Sequence, residues 1–328
     1  MSPRKEPVSL LSLCQQSIER TIISSTVTDS WVESVGLELP YNIADQVVAS
    51  VFTNLPRSLQ KHRLGGLFSP KIKTLSLEQS RDLSSQNDPA PSYISRILNC
   101  SNLQTLSLGQ NINKNFTEEV SIIVKKISTF PSLQSLTLKS CSTVLSKPVE
   151  TEELLEELQR LPLMKHLDIS GASFDDSSFR SLLRLKTLRS LCLDTCKLGT
   201  LETLQVLTGL HNLRLLEHNY GRQSRVVQAL TTLPDTSTLK LTHLTFRQPP
   251  RPTFFNLQLS KILPNLLAAT VIWDIFESGY STAIDQGLAL LGSLETVKSV
   301  TLKITGINML YMIQLAPKIE SLSERITR

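Results

Sequence analysis

Five histidines (His62, His166, His211, His218 and His243) and five cysteines (Cys14, Cys100, Cys141, Cys192 and Cys196) are the residues most able to bind a metal or drive acid, base or nucleophilic chemistry. A catalytic or structural zinc site needs several such ligands at short fixed spacings, and a nucleophile needs a base within reach. The histidines stand without a second ligand or a nucleophile at a supporting interval, and no CxxC pair, GxSxG turn, HExxH helix or glycine-rich phosphate loop occurs. The expectation is a chain with no catalytic residue, no metal and no cofactor. Scattered cysteines fit a reducing compartment. The apolar run near the N-terminus is broken by Ser9, Ser12, Gln15 and Gln16, which spoils a secretory leader. A cytoplasmic location is expected, with a nuclear phase left open.

Leucine must supply whatever scaffold positions these residues, for it accounts for 58 of the 328 residues. The net charge of +5 (34 basic against 29 acidic residues) is spread thinly and gathers into no basic stripe, so it predicts no nucleic-acid partner. No stretch approaches the roughly 18 uninterrupted apolar residues of a membrane span, so no membrane partner is expected.

The leucines are periodic. LxxLxL strings occur at Ile72–Leu77, Leu103–Leu108, Leu133–Leu138, Met164–Ile169 and Leu188–Leu193, and weaker ones open at Leu213, Leu241, Leu266 and Val297. The pattern resembles the leucine-rich repeat, whose fuller form LxxLxLxxN/CxL is met through Asn111, Cys141 and Cys196. The resemblance covers about residues 70 to 305 and implies an α/β solenoid, a horseshoe with parallel strands on the concave face and helices outside. Helical patterns lie between the strings at Phe116–Phe130, Glu152–Leu161, Asp175–Leu185, Leu201–Leu210, Ser224–Leu233, Phe254–Leu263 and Thr282–Leu294, with Thr151, Asp175 and Thr200 as expected N-caps. A last helix over 306–328 is expected to close the array.

The residues between the buried leucines form the expected surface for a protein substrate. By register they include Thr105, Ser107, Ser135, Thr137, His166, Asp168, Ser190, Asp194, Glu217, Asn219, His243, Arg247, Ser299 and Lys303. Asp168, Asp194 and Glu217 make an acidic middle, Arg247 and Lys303 a basic end, and His166 and His243 flank them; a merely solvated face is the competing reading.

Residues 8 to 56 do not fit the repeat and hold two amphipathic segments. In the first, Ser9, Leu10, Cys14 and Ile18 spell SLxxxCxxxI, which on a helix lays Leu10, Cys14 and Ile18 along one stripe with Leu13 beside it. In the second, Leu39, Pro40, Ile43 and Val47 place a proline in the first helical turn ahead of an apolar face. In this order the two resemble the elongin-binding box and the cullin-2 box, together a VHL box. Joined to leucine-rich repeats, that pair is similar to the zyg-eleven family of substrate receptors. The resemblance implies that Ser9, Leu10, Leu13, Cys14 and Ile18 contact elongin C, that elongin B joins it, and that Leu39, Pro40, Ile43 and Val47 select cullin-2. It implies a non-catalytic subunit that brings a protein substrate to a ubiquitin ligase. The family's armadillo-like domain has no counterpart after the repeats, so its substrate class is not carried over. Three alternatives stay open: the first helix is only the solenoid's cap, packed on Ile72, Leu75 and Leu77; the second segment opens an F-box; or the chain is a stand-alone interaction scaffold. The expected organisation is an all-helical VHL-box region over 1–68 and about nine repeats over 69–328.

Overall fold

The computed structural model describes residues 16–18, 20–21, 39, 44–48, 67–77, 93–110, 117–220, 223–233, 239–247, 263, 265–274 and 299–305. Contacts divide the chain into two compact units. One comprises 1–146 with 153–164, and the other 147–152 with 165–328.

In the first unit β1 (Thr74–Leu77), β2 (Thr105–Leu108) and β3 (Ser135–Leu138) pair in parallel, Thr74 beside Thr105 and Thr105 beside Ser135. Between β2 and β3 run α1 (Thr117–Lys125) and a short 3-10 turn, Ile127–Thr129. The helix α2 (Pro148–Gln159) has its first residues counted with the second unit and the rest with the first. In the second unit β4 (His166–Asp168), β5 (Ser190–Cys192), β6 (Leu215–Glu217), β9 (His243–Arg247), β10 (Ala268–Asp274) and β11 (Ser299–Thr305) pair in parallel, each with the next. The helices α3 (Asp176–Leu183), α4 (Thr200–Gly209) and α5 (Arg225–Thr232) lie between successive strands, and an antiparallel pair, β7 (Asn219–Tyr220) and β8 (Gln223–Ser224), precedes α5.

All nine strands of the parallel sets begin two residues after the opening residue of an LxxLxL string, the four weak strings included. The alternation of a strand then turns the second and third leucines inward. Leu75, Leu106, Leu136, Leu167, Leu191, Leu216 and Leu244 are all buried at the second leucine, and Ile72, Leu103, Leu133, Met164, Leu188, Leu213, Leu241 and Leu266 at the first. Each such side chain contributes roughly 1.5–3 kcal/mol of apolar burial, shared between neighbouring coils. The turn into seven of the strings is built alike: the amide of the first residue donates to the carbonyl three residues back, as from Leu103 to Cys100 (3.0 Å), Leu188 to Leu185 (3.2 Å) and Leu213 to Leu210 (2.9 Å). An asparagine just before the string clamps the preceding coil at three places. Asn102 Nδ2 donates to the Pro70 carbonyl, Asn212 to Lys186 and Asn265 to Leu239, at 2.9, 3.0 and 3.4 Å.

The turn out of the strand repeats too. Ser140, Gly171 and Thr195 occupy the same place in their coils and all have positive φ, at 53°, 87° and 62°. The next residues, Cys141, Ala172 and Cys196, are buried, and Cys196 Sγ donates to the Ile169 carbonyl of the preceding coil at 3.5 Å. The cysteine at the N/C position of the consensus thus bonds the backbone of the neighbouring coil. A left-handed conformation costs an L-residue about 1–2 kcal/mol and is least tolerable for β-branched threonine. Thr195→Gly is therefore expected to stabilise the chain, by up to about 1 kcal/mol after the greater entropy of an unfolded glycine is subtracted. A urea midpoint lower than wild type would reject this.

Two N-cap expectations need correction. Asp175 does cap α3, accepting from the Ser178 amide at 2.9 Å while Ser178 Oγ accepts from the Asp175 amide; those bonds hold its carboxyl below the usual range. Thr200 is instead the first residue of α4 and Gly199 the cap, its amide bonded to Glu202 Oε2 at 3.0 Å. Thr151 lies inside α2, which starts three residues earlier at Pro148, where a missing amide hydrogen costs nothing.

Candidate functional site

Strand register places the outward-facing residues of the second unit in two rows. His166 is beside Ser190, Ser190 beside Leu215 and Leu215 beside His243; Asp168 is beside Cys192, and Cys192 beside Glu217. His166 and His243 are exposed, whereas Asp168, Cys192 and Glu217 are half-buried. Of the residues expected on the substrate surface, His166, Asp168, Glu217, His243 and Arg247 therefore lie on adjacent strands and Asp194 just after one. Asp194 follows β5 by two residues and is half-buried, with its carbonyl accepting from the Gly171 amide at 2.8 Å. Arg247 ends β9, and its side chain lies outside what is described. Asn219 leaves the row, because it enters the antiparallel β7–β8 pair.

Sequence periodicity does not single out Cys192, the last residue of β5, which faces outward between two carboxylates. Its thiol lies 3.2 Å from Ser170 Oγ, and Ser170 Oγ in turn donates to Asp168 Oδ1 at 2.5 Å. With the serine proton committed to the carboxylate, the thiol donates to Ser170 and keeps its own proton. Burial pushes the Cys192 thiol up, and the charges of Asp168 and Glu217 push it further. A nucleophilic cysteine requires the opposite surroundings. His166, the neighbouring imidazole, is lowered by partial burial and by the cations of Lys165 and Arg189, which leaves it neutral near pH 7. The face around β4–β6 thus sets the carboxylates of Asp168 and Glu217 about Cys192 and the cations of Lys165 and Arg189 about His166.

The second residue that sequence reasoning misses is His218, which takes the third inward position of its string, where the other coils have leucine, isoleucine, valine or phenylalanine. It is fully buried. Counting along LRLLEH gives this place in the core, and the irregularity of the string obscures it. Among the described residues, no group of three or more His, Cys, Asp and Glu side chains is arranged to hold a metal ion, and no helix is long and apolar enough to cross a membrane.

The N-terminal segments are described only in part. Ser9, Leu10, Leu13, Cys14, Pro40 and Ile43 lie outside the described residues, as do His62 and Asn111. Ile18 is half-buried within a helical stretch where Thr21 Oγ1 donates to the Ser17 carbonyl at 2.8 Å. Leu39 and Val47 are buried, and in the helical residues 44–48 Ala44, Val47 and Val48 form a stripe with no exposed surface. On the other side of that stretch Asp45 Oδ1 accepts from the Lys73 amide at 2.9 Å, occupying a donor just ahead of β1. That bond ties this segment to the first coil.

No protein-family model matches the chain, and no curated protein matches it. Among solved structures, the leucine-rich repeat-containing protein LegL7 from Legionella pneumophila is similar, at 15% sequence identity and a TM-score of 0.43, over 84% of this chain and 94% of that one.

Proposed function

We propose that the chain is a non-catalytic recognition subunit of leucine-rich-repeat type, which holds a protein partner on the outward residues of its parallel strands. The observation that carries this reading is the row Asp168–Cys192–Glu217 flanked by His166 and His243: polar groups fixed at strand spacing, partly open to solvent, with a thiol held protonated. Strands about 4.8 Å apart offer an extended array of polar contacts without a pocket.

A finer reading attaches this surface to a cullin-2 ubiquitin ligase through elongin C and elongin B, and it is favoured by SLxxxCxxxI over 9–18. An apolar helix stripe laid into a groove gains roughly 1.5–3 kcal/mol for each fully buried leucine. Buried Leu39 and Val47 already have a packing role within the chain, so the attachment rests on Ser9, Leu10, Leu13, Cys14 and Ile18. Gel filtration of the full chain with purified elongin B and C tests it. Wild type is expected to co-elute, and a Leu10→Ser, Cys14→Ser double variant to lose binding by at least about tenfold. Failure of the wild type to co-elute leaves the stand-alone scaffold; binding to an F-box adaptor in place of the elongins selects the F-box-type reading.

A further inference from the structure

Consecutive strings of the second unit carry charge at the same two places. Lys165, Arg189 and Arg214 stand one residue ahead of β4, β5 and β6, and Asp168, Cys192 and Glu217 stand three residues further on. The backbone sets both rows at strand spacing. The Lys165 carbonyl accepts from the Arg189 amide at 2.7 Å and the Arg189 carbonyl from the Arg214 amide at 2.8 Å, while Asp168 is beside Cys192 and Cys192 beside Glu217. Arg189 and Arg214 are exposed, and Lys165, Asp168 and Glu217 are half-buried. The charges of Lys165 and Arg189 reach the exposed His166 ring, and those of Asp168 and Glu217 reach Cys192. The strings on either side lack the pattern, with Gln134 and Thr137 at the two places before it and Thr242 and Thr245 after it.

Like charges beside one another on neighbouring strands are destabilising. A face that needs charge only for solubility does better with the signs interspersed. Here the cations are gathered in one row and the carboxylates in another, an order that suits a partner whose own charges come up opposite each row and offset the repulsion within it. The dimensions narrow the partner further. Strands stand about 4.8 Å apart, and three residues of strand separate the rows by about 10 Å. An extended peptide repeats the side chains of one face only every ~6.6 Å, too long for the strand interval. An α-helix repeats them at about 5–6 Å between positions i and i+4 and is roughly 10–12 Å across, which matches both intervals. Between the rows, Ser190 and Leu215 lie side by side and half-buried, a small hydroxyl and an apolar contact for the crest of such a helix.

We infer that the face over β4–β6 takes an α-helix of a partner protein laid across the strands, with acidic side chains on the flank over Lys165, Arg189 and Arg214 and basic side chains on the flank over Asp168 and Glu217. This rests on the recognition role proposed above and names the chemistry of the partner.

Two displayed libraries panned against the full chain test it, one of helices with randomised surface positions on a fixed helical scaffold and one of unconstrained linear peptides. The helices selected are expected to carry acidic residues along one flank and basic residues along the other. Arg189→Glu with Arg214→Glu is expected to weaken them by at least about tenfold, as is Asp168→Asn with Glu217→Gln, in which residue 168 keeps an acceptor for the Ser170 amide. Selected helices without that order of charge, or indifferent to both variants, overturn the inference. Linear binders sensitive to the same variants, with no helix selected, overturn the helix and leave the recognition face standing. No binder to this face from either library removes both.

Discussion

A loss of about 2–5 kcal/mol of unfolding free energy is the expected result of replacing Leu191 by alanine. Leu191 is the central residue of β5, is fully buried, and has Leu167 and Leu216 beside it in register on the flanking strands. Removing three carbon atoms there leaves a void between coils. The leucines on either side are held at strand spacing by backbone hydrogen bonds, so they cannot close it, and the cavity adds to the lost transfer energy. Neighbouring coils stabilise one another, so the damage falls first on β4–β6 and their helices rather than uniformly on the chain. Urea unfolding with exchange of the β4–β6 amides measures both size and place. Ser190→Ala, one residue away on the outward side, is expected to change stability by no more than about 0.5 kcal/mol. Equal effects for the two substitutions would overturn the register that buries Leu191 and turns Ser190 outward.

The α/β repeat is legible because its signal is written nine times over. An alternation of inward leucines with polar neighbours fixes strand, facing and register together, and even LLAATV, with one leucine replaced by alanine, starts β10 where the pattern places it. Helix ends are less legible. Thr151 and Thr200 have the right chemistry for a cap, but the helices begin earlier, α2 at Pro148 three residues before Thr151 and α4 at Thr200 itself, directly after its cap Gly199. Nothing in the consensus specifies the clamp of Asn102, Asn212 and Asn265 on the preceding coil; it is seen only when the coils are stacked.

The candidate site is half legible for a related reason. Register arithmetic finds Asp168, Glu217, His166 and His243, but a cysteine in a repeat is easily assigned to the turn position that Cys196 fills, and Cys192 hides behind that assignment. Its burial among carboxylates depends on residues 24 and 25 positions away, through the pairings of Asp168 with Cys192 and of Cys192 with Glu217. His218 is hidden by the opposite habit: a polar residue is expected outside, although the period puts it inside, where hydrogen bonds with Thr203 Oγ1 and the Cys196 carbonyl make burial tolerable.

The role of residues 39–48 can be decided by Val47→Asp. Val47 has no exposed surface and sits one helical turn from Ala44 and beside Val48, which are equally buried. An uncompensated carboxylate there is expected to cost about 3–5 kcal/mol, or to be protonated at a similar penalty. The loss should appear in the isolated chain, with faster amide exchange in 72–77, because Asp45 on the same helical stretch holds the Lys73 amide ahead of β1. Gln46→Asp, on the exposed side of that stretch, is expected to be neutral within about 0.5 kcal/mol. A cullin-contacting Val47 predicts the reverse: a stable variant chain that still binds elongins and fails only when cullin-2 is added. If the isolated chain is destabilised, Val47 belongs to the packing of the chain itself, and the proposed ligase attachment rests on the sequence pattern of Leu10, Cys14 and Ile18 alone.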